Sequence, residues 1–203
     1  MASSITGSGE EASAADWGAW LDGGMSLPLT YAAALERPDL LAPGTAAALR
    51  TLPWADQVRV AAIDPALSDT AQFCAAYGVA PEDSVNCVVV AARRGGAVSY
   101  AACMVAATNR ASVNGLVRQH LGARKASFAP VDAVTAATGM EYGGITPVGL
   151  PESWPVLVDE PVTKSAEVVI GAGIRGAKLW LPGRLLAGLP GAEVLPGLGV
   201  PAS

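Results

Sequence analysis

Thr138-Gly-Met-Glu-Tyr-Gly-Gly-Ile-Thr-Pro-Val-Gly-Leu150 is the stretch on which the reading of the fold turns. Its four glycines and one proline lie between a helical pattern on one side and an apolar strand on the other. Glycine accepts positive φ and lets other groups approach the main chain, while Pro147 fixes its own φ and holds Thr146 extended. Successive free amides in such a turn form an electropositive nest for an anion or a developing oxyanion. A plain tight connection between two sheet elements is the alternative, and the glycines alone do not separate the two.

On the amino-terminal side, residues 130–138 read as a helix with proline at its start, preceded by a short strand over 125–128 and a helical pattern over 112–120. Further upstream, two apolar runs over 86–92 and 97–106 flank Arg93-Arg94-Gly95-Gly96, a hairpin signal. A strand over 58–64 ends at Pro65, and Ser68 or Asp69 then caps a helix to Tyr77 that Gly78 stops. On the carboxyl-terminal side, strands are expected over 155–159, 167–171 and 178–181, with a closing helix over 182–187. Interleaved strands and short helices predict an α/β (α+β) domain with a mixed, mostly antiparallel central sheet.

These features divide the 203 residues into an amino-terminal extension, 1–55, and one domain, 56–203. Residues 1–15 are Ser, Gly, Ala and Glu without periodicity and are expected to be mobile. They have no basic region and carry Glu10 and Glu11, so no secretory signal is read there and a cytoplasmic location is expected. Trp17, Trp20 and leucine-rich pieces follow, and short helices are expected over 29–35 and 45–52. No apolar run approaches the roughly 20 residues of a membrane span.

The net charge of −5 conceals a segregation. Residues 84–131 contain no acid and six cations: Arg93, Arg94, Arg110, Arg118, Arg124 and Lys125. Phosphate contacts depend on local potential, so a net-acidic chain with such a block can still bind nucleic acid. Cys74, Cys87 and Cys103 lie in apolar patterns without a CxxC pair and read as reduced core residues. With His120 the only histidine and no clustered carboxylates, neither a metal nor a cofactor is expected.

From about Asp69 to Leu186 the order of features resembles the YbaK-type family, aminoacyl-tRNA deacylases related to the editing domain inserted in bacterial prolyl-tRNA synthetases. The residues that carry the resemblance are 70–78, Asn86-Cys-Val-Val-Val90, the loop Gly143-Gly-Ile-Thr-Pro-Val-Gly149, Val156-Leu-Val-Asp159 and Val169-Ile-Gly-Ala-Gly173. The loop followed by an apolar strand ending in Asp is the specific part. The resemblance implies that Gly143, Gly144, Ile145, Thr146 and Pro147 orient an aminoacyl ester and contact its carbonyl through backbone amides. It implies no nucleophilic Ser or Cys, because the terminal ribose hydroxyl of the tRNA helps to orient the attacking water.

The chain departs from the family at one position. Relatives carry a lysine where alignment places Asn86, and asparagine can donate a hydrogen bond but brings no charge. Lys125, beside Arg124, is the substitute cation the sequence offers. The resemblance further implies Thr108, Asn109 and Arg110 at the terminal adenosine, Asp159 facing the pocket or bracing its loops, and Gly149, Gly171 and Gly173 around it. Two functional readings stay open: a trans-acting deacylase for a small mischarged amino acid, or a catalytically weakened YbaK-fold module that binds tRNA ends, a synthetase or a small ligand. Mischarged tRNA is the expected partner, and the oligomeric state stays open.

Overall fold

Strand pairing organises this chain, and most of the strands expected from the sequence find partners. The computed structural model describes residues 26–202. In chain order the elements are β1 (Tyr31–Ala33), α1 (Pro43–Leu49), β2 (Arg59–Ala62), α2 (Thr70–Tyr77), β3 (Val85–Arg94), β4 (Ala97–Ala106), β5 (Asn109–Ala111), α3 (Arg118–His120), β6 (Lys125–Phe128), α4 (Val131–Thr138), β7 (Val156–Asp159), α5 (Glu160–Lys164), β8 (Val168–Gly171), β9 (Ala177–Leu181), β10 (Ala192–Leu195) and β11 (Gly199–Pro201).

The strands form a five-stranded sheet, β10-β7-β4-β3-β6, a four-stranded sheet, β1-β2-β9-β8, and the small pair β11-β5. Among the described residues only the β4–β7 and β7–β10 pairings are parallel, so the fold is α/β with a mixed, mostly antiparallel arrangement. A bridge between Ser84 and Val169 joins the larger sheets, with the Val169 amide donating to the Asp83 carbonyl at 2.8 Å. This joint brings the start of β3 beside β8, and the cavity described below opens there.

Local signals explain the sharpest boundaries. The Asp69 carboxylate accepts from the Ala71 amide at the start of α2, and Gly78 ends the helix at φ 66°. Gly95 and Gly96, both at positive φ, turn β3 into β4.

Several expectations are corrected. Residues 31–33 are extended rather than helical, because β1 pairs with β2 and seats Tyr31 edge-on against Trp180, 5.0 Å between ring centres. Tertiary pairing there overrides the helix propensity of alanine. The helix expected over 112–120 is a π-type turn, Val113–Val117, that runs into α3, with Gly115 outside helical φ/ψ. The closing helix is a 3-10 segment, Gly183–Gly188. Strands β5, β10 and β11 and helix α5 are too short for periodicity to reveal.

Residues from the amino-terminal part contribute to the same core as the strands. Ala34, Leu41, Leu49, Leu52 and Trp54 pack with Val60, Ile170 and Leu179. The mobile stretch expected over residues 1–15, and Trp17 and Trp20, lie outside the described residues.

Candidate active site

Four segments converge at the β3–β8 joint. The start of α2 supplies Ser68, Asp69 and Thr70, and the start of β3 supplies Val85, Asn86, Cys87 and Val88. The glycine turn supplies Tyr142, Gly143 and Ile145, and the β8–β9 hairpin supplies Gly171 from β8, Arg175 from the connection and Lys178 from β9. They line a cavity of about 440 Å³. A second hollow of about 680 Å³, lined by α2 and Ala107, shares Asp69, Thr70 and Asn86 with the first. Asn86 therefore stands where the two meet.

The glycine turn is held by the loop after β8. The Glu141 amide donates to the Gly173 carbonyl at 2.8 Å, and the Gly173 amide donates to the Gly144 carbonyl at 2.7 Å. A Cβ on Gly144 would overlap the Ile174 backbone, and one on Gly171 would overlap the Gly144 and Ile145 carbonyls. These two glycines are required by backbone approach. Gly143 is required by its φ of 86°.

The turn is not a complete nest. The Gly144 amide donates to the Glu141 carbonyl at 3.0 Å, so it is closed to a ligand. The amides of Gly143 and Ile145 have no protein acceptor among the described residues, and both residues line the cavity. Thr146 is wholly buried with its Oγ1 unpartnered. Pro147 and Gly149 face a separate hollow toward α1.

Asn86 is oriented by a single bond. Thr70 Oγ1 donates to Asn86 Oδ1 at 2.8 Å, which leaves the two Nδ2 hydrogens without a protein partner among the described residues. Ser68 Oγ, also on the cavity wall, is buried and unpartnered. Arg175 clamps the glycine turn: its Nη1 donates to the Tyr142 carbonyl and its Nη2 to the Pro65 carbonyl, each at 3.2 Å. Its backbone amide donates to Glu141 Oε2 at 2.7 Å. Lys178 Nζ donates to the carbonyls of Ser68, at 3.3 Å, and Gly143, at 3.4 Å.

Of the residues expected at the site, Asn86, Gly143, Ile145 and Gly171 meet in one cavity. Lys125 does not join them. It pairs with Arg93 across β3 and β6 and lies in a cationic groove with Arg118 and Arg124. Arg93 is seven residues along β3 from Asn86, about 23 Å away at the usual strand rise. Asn109 and Arg110 belong to β5, which pairs with β11, and the Thr108 carbonyl accepts from the Ala202 amide. Asp159 is buried at the end of β7 with Oδ1 unpartnered, and among the described residues it accepts no capping bond from the helix that follows. Its side chain lies near Asn109 and Gly199, away from the cavity. Gly173 serves the turn through its hydrogen bonds.

Ser68, Thr70, Tyr142, Arg175 and Lys178 are among the cavity residues that sequence reasoning missed. A lysine inside the apolar run Ala177-Lys-Leu-Trp-Leu181 was the one signal that marked Lys178. The thiols are unsuited to nucleophilic attack: burial pushes all three above their ordinary value, Cys103 to about 12. His120 Nε2 sits 3.0 Å from Glu193 Oε2, away from the cavity and its cysteine. Among the described residues no group of three or more His, Cys, Asp or Glu is placed to hold a metal ion, and no helix is long and apolar enough to cross a membrane.

Two sheets, one mixed and one antiparallel, flanked by short helices and joined beside one cleft, define an α/β (α+β) domain. The aminoacyl-tRNA editing domain matches residues 64–189, and the chain belongs to that family. A candidate trans-editing enzyme for prolyl tRNA synthetase is 23% identical with a TM-score of 0.65, covering 77% of this chain and 97% of that one. The hypothetical protein APE2540 is 24% identical with a TM-score of 0.62, over 70% of this chain and 91% of its own. A scaffold protein from epitope backbone grafting by computational design is 25% identical with a TM-score of 0.65, over 76% and 95%. These likenesses establish the YbaK-like fold. No curated protein matches in sequence.

Proposed function

We propose that this protein is a trans-acting aminoacyl-tRNA deacylase that hydrolyses the ester of a small mischarged amino acid, working in the cytoplasm beside the synthetase whose errors it clears. The observation that carries the reading is that Gly143, Ile145 and Asn86 line one cavity while their backbone amides, for the first two, and Nδ2, for the third, have no protein acceptor among the described residues.

The amino acid occupies the cavity of about 440 Å³, and the terminal adenosine lies toward the adjoining hollow beyond Asn86. Val88 and Ile145 stand on the cavity wall and limit side-chain size by exclusion. Tyr142, 64% exposed on the turn, offers a face on which the terminal base stacks. The acceptor stem then extends toward the groove of Arg93, Arg118, Arg124 and Lys125.

In the reaction, water adds to the ester carbonyl and the carbonyl π pair moves onto oxygen. The amides of Gly143 and Ile145 and Asn86 Nδ2 donate to that oxygen as charge develops. Collapse breaks the bond to the ribose oxygen, which takes the proton released by the water. A ribose hydroxyl of the tRNA and Ser68 Oγ hold the water in place. The products are a free amino acid and an uncharged tRNA.

The test is a panel of mischarged tRNAs at high protein concentration, with the buffer rate subtracted. Hydrolysis of esters of small amino acids supports the reading. No hydrolysis above buffer, with tRNA still bound in a salt-dependent manner, replaces it with the non-catalytic binding module, for which the uncharged Asn86 is the motivating observation.

A further inference from the structure

We propose that Lys178 supplies the positive charge for ester cleavage in this site, from the wall of the cavity formed by β9; this rests on the deacylase reading above. β9 lies between β2 and β8, and all five of its residues are buried. Lys178 shares a face of the strand with Trp180, and that face is covered by α2, where Lys178 Nζ lies 5.4 Å from the centre of the Phe73 ring. An ammonium in such a place is costly unless it is paired or used. Among the described residues Lys178 has no ion pair.

Its two protein partners are carbonyls of two neighbouring segments, Ser68 before α2 and Gly143 in the glycine turn. The ammonium thereby ties the α2 start to the glycine turn on the cavity wall and retains a third N–H for a ligand. Asn86, on the β3 wall, donates without charge, so the charge reaches the developing oxyanion from β9 instead. In a site with little water the attraction is stronger than at the surface. The two residues divide between them a task that one lysine can perform: Asn86 provides direction and Lys178 provides charge.

Burial also lowers the affinity of Lys178 for its proton. Arg175 lowers it further, while Cys74 and Asp69 of the facing α2 segment act in the opposite direction.

The experiment is single-turnover deacylation by the full-length protein of the mischarged tRNA that it hydrolyses best. The variants are Lys178→Met, Lys178→Arg, Asn86→Lys and the double variant Asn86→Lys/Lys178→Met, with exposed Lys164→Met as control. Lys178→Met is expected to lower kcat/KM by about 100-fold, the usual effect of losing one oxyanion partner, while thermal unfolding stays cooperative. Lys178→Arg retains most of the rate. Asn86→Lys alone lowers activity, because two ammonium groups then share one cavity, whereas the same change in the Lys178→Met background raises it at least about tenfold.

A Lys178→Met protein within about twofold of the wild-type rate overturns the proposal and leaves the deacylase reading standing. A wild-type protein with no hydrolysis on the whole panel removes both. If Lys178→Met does not fold, the wild-type pH profile decides: activity that stays level as pH rises through the lysine's deprotonation overturns the role, and a falling alkaline limb absent from Lys178→Arg supports it.

Discussion

Thr70 Oγ1 donates a hydrogen bond to Asn86 Oδ1 at 2.8 Å, so the first residue of α2 determines which end of the Asn86 amide meets the cavity. Asn86→Asp replaces a donor by an acceptor at the same place. Single-turnover deacylation is expected to fall by about 100-fold. Thr70→Val removes only the orienting bond, worth about 1 kcal/mol, and lowers the same rate by about fivefold.

Gly144 lies against the backbone of Ile174, and its own amide already closes the turn. Gly144→Ala has no space for its methyl group and no flexible neighbour to displace. Unfolding in urea is expected to show a loss of at least about 2 kcal/mol, the scale of overpacking in a tight site. A rate loss without a stability loss would mean that Gly144 instead touches substrate.

Lys178 makes stability depend on alkaline pH in a defined direction. Burial holds its proton affinity below the ordinary value of 10.5, with Arg175 adding to burial and Cys74 and Asp69 opposing it. Between the folded value and 10.5 the unfolded chain binds more protons, so this contribution to stability rises with pH and is lost as pH falls through the folded value. The stability advantage of Lys178→Met over wild type is therefore greatest near neutral pH and narrows toward about pH 10, as urea titrations at stepped pH will record.

The cationic groove separates binding from chemistry. Arg93→Gln, Arg124→Gln and Lys125→Gln together are expected to raise KM for charged tRNA and to reduce the slope of log affinity against log salt by about three. Hydrolysis of a short aminoacyl-adenosine ester, too small to reach the groove, stays at the wild-type rate. Equal losses on both substrates would place the groove's effect in the fold rather than in nucleic-acid contact.

Much of the fold was legible because its signals are local. Asp69 and Gly78 bracket α2, and Gly95 and Gly96 turn the long hairpin, each through the conformation of a few neighbouring residues. The glycine turn was legible for the same reason. Its detailed division of labour was not: Gly143 and Ile145 face the cavity, Gly144 and Gly171 allow close packing, and Pro147 faces away. Those assignments depend on the loop after β8, thirty residues downstream of Gly143 by Gly173.

The amino-acid sequence by itself determined the longer strands, the hairpin turn, the bounds of α2 and the family, because these rest on short-range backbone preferences and spacing. Only the tertiary structure decided which lysine lines the cavity with Asn86. Lys125 and Lys178 both occupy predicted strands, and a strand's alternation says which residues share a face but not what that face covers. Pairing of β6 with the far end of β3 carries Lys125 away from the cavity, whereas pairing of β9 between β2 and β8 turns Lys178 beneath α2 and the glycine turn.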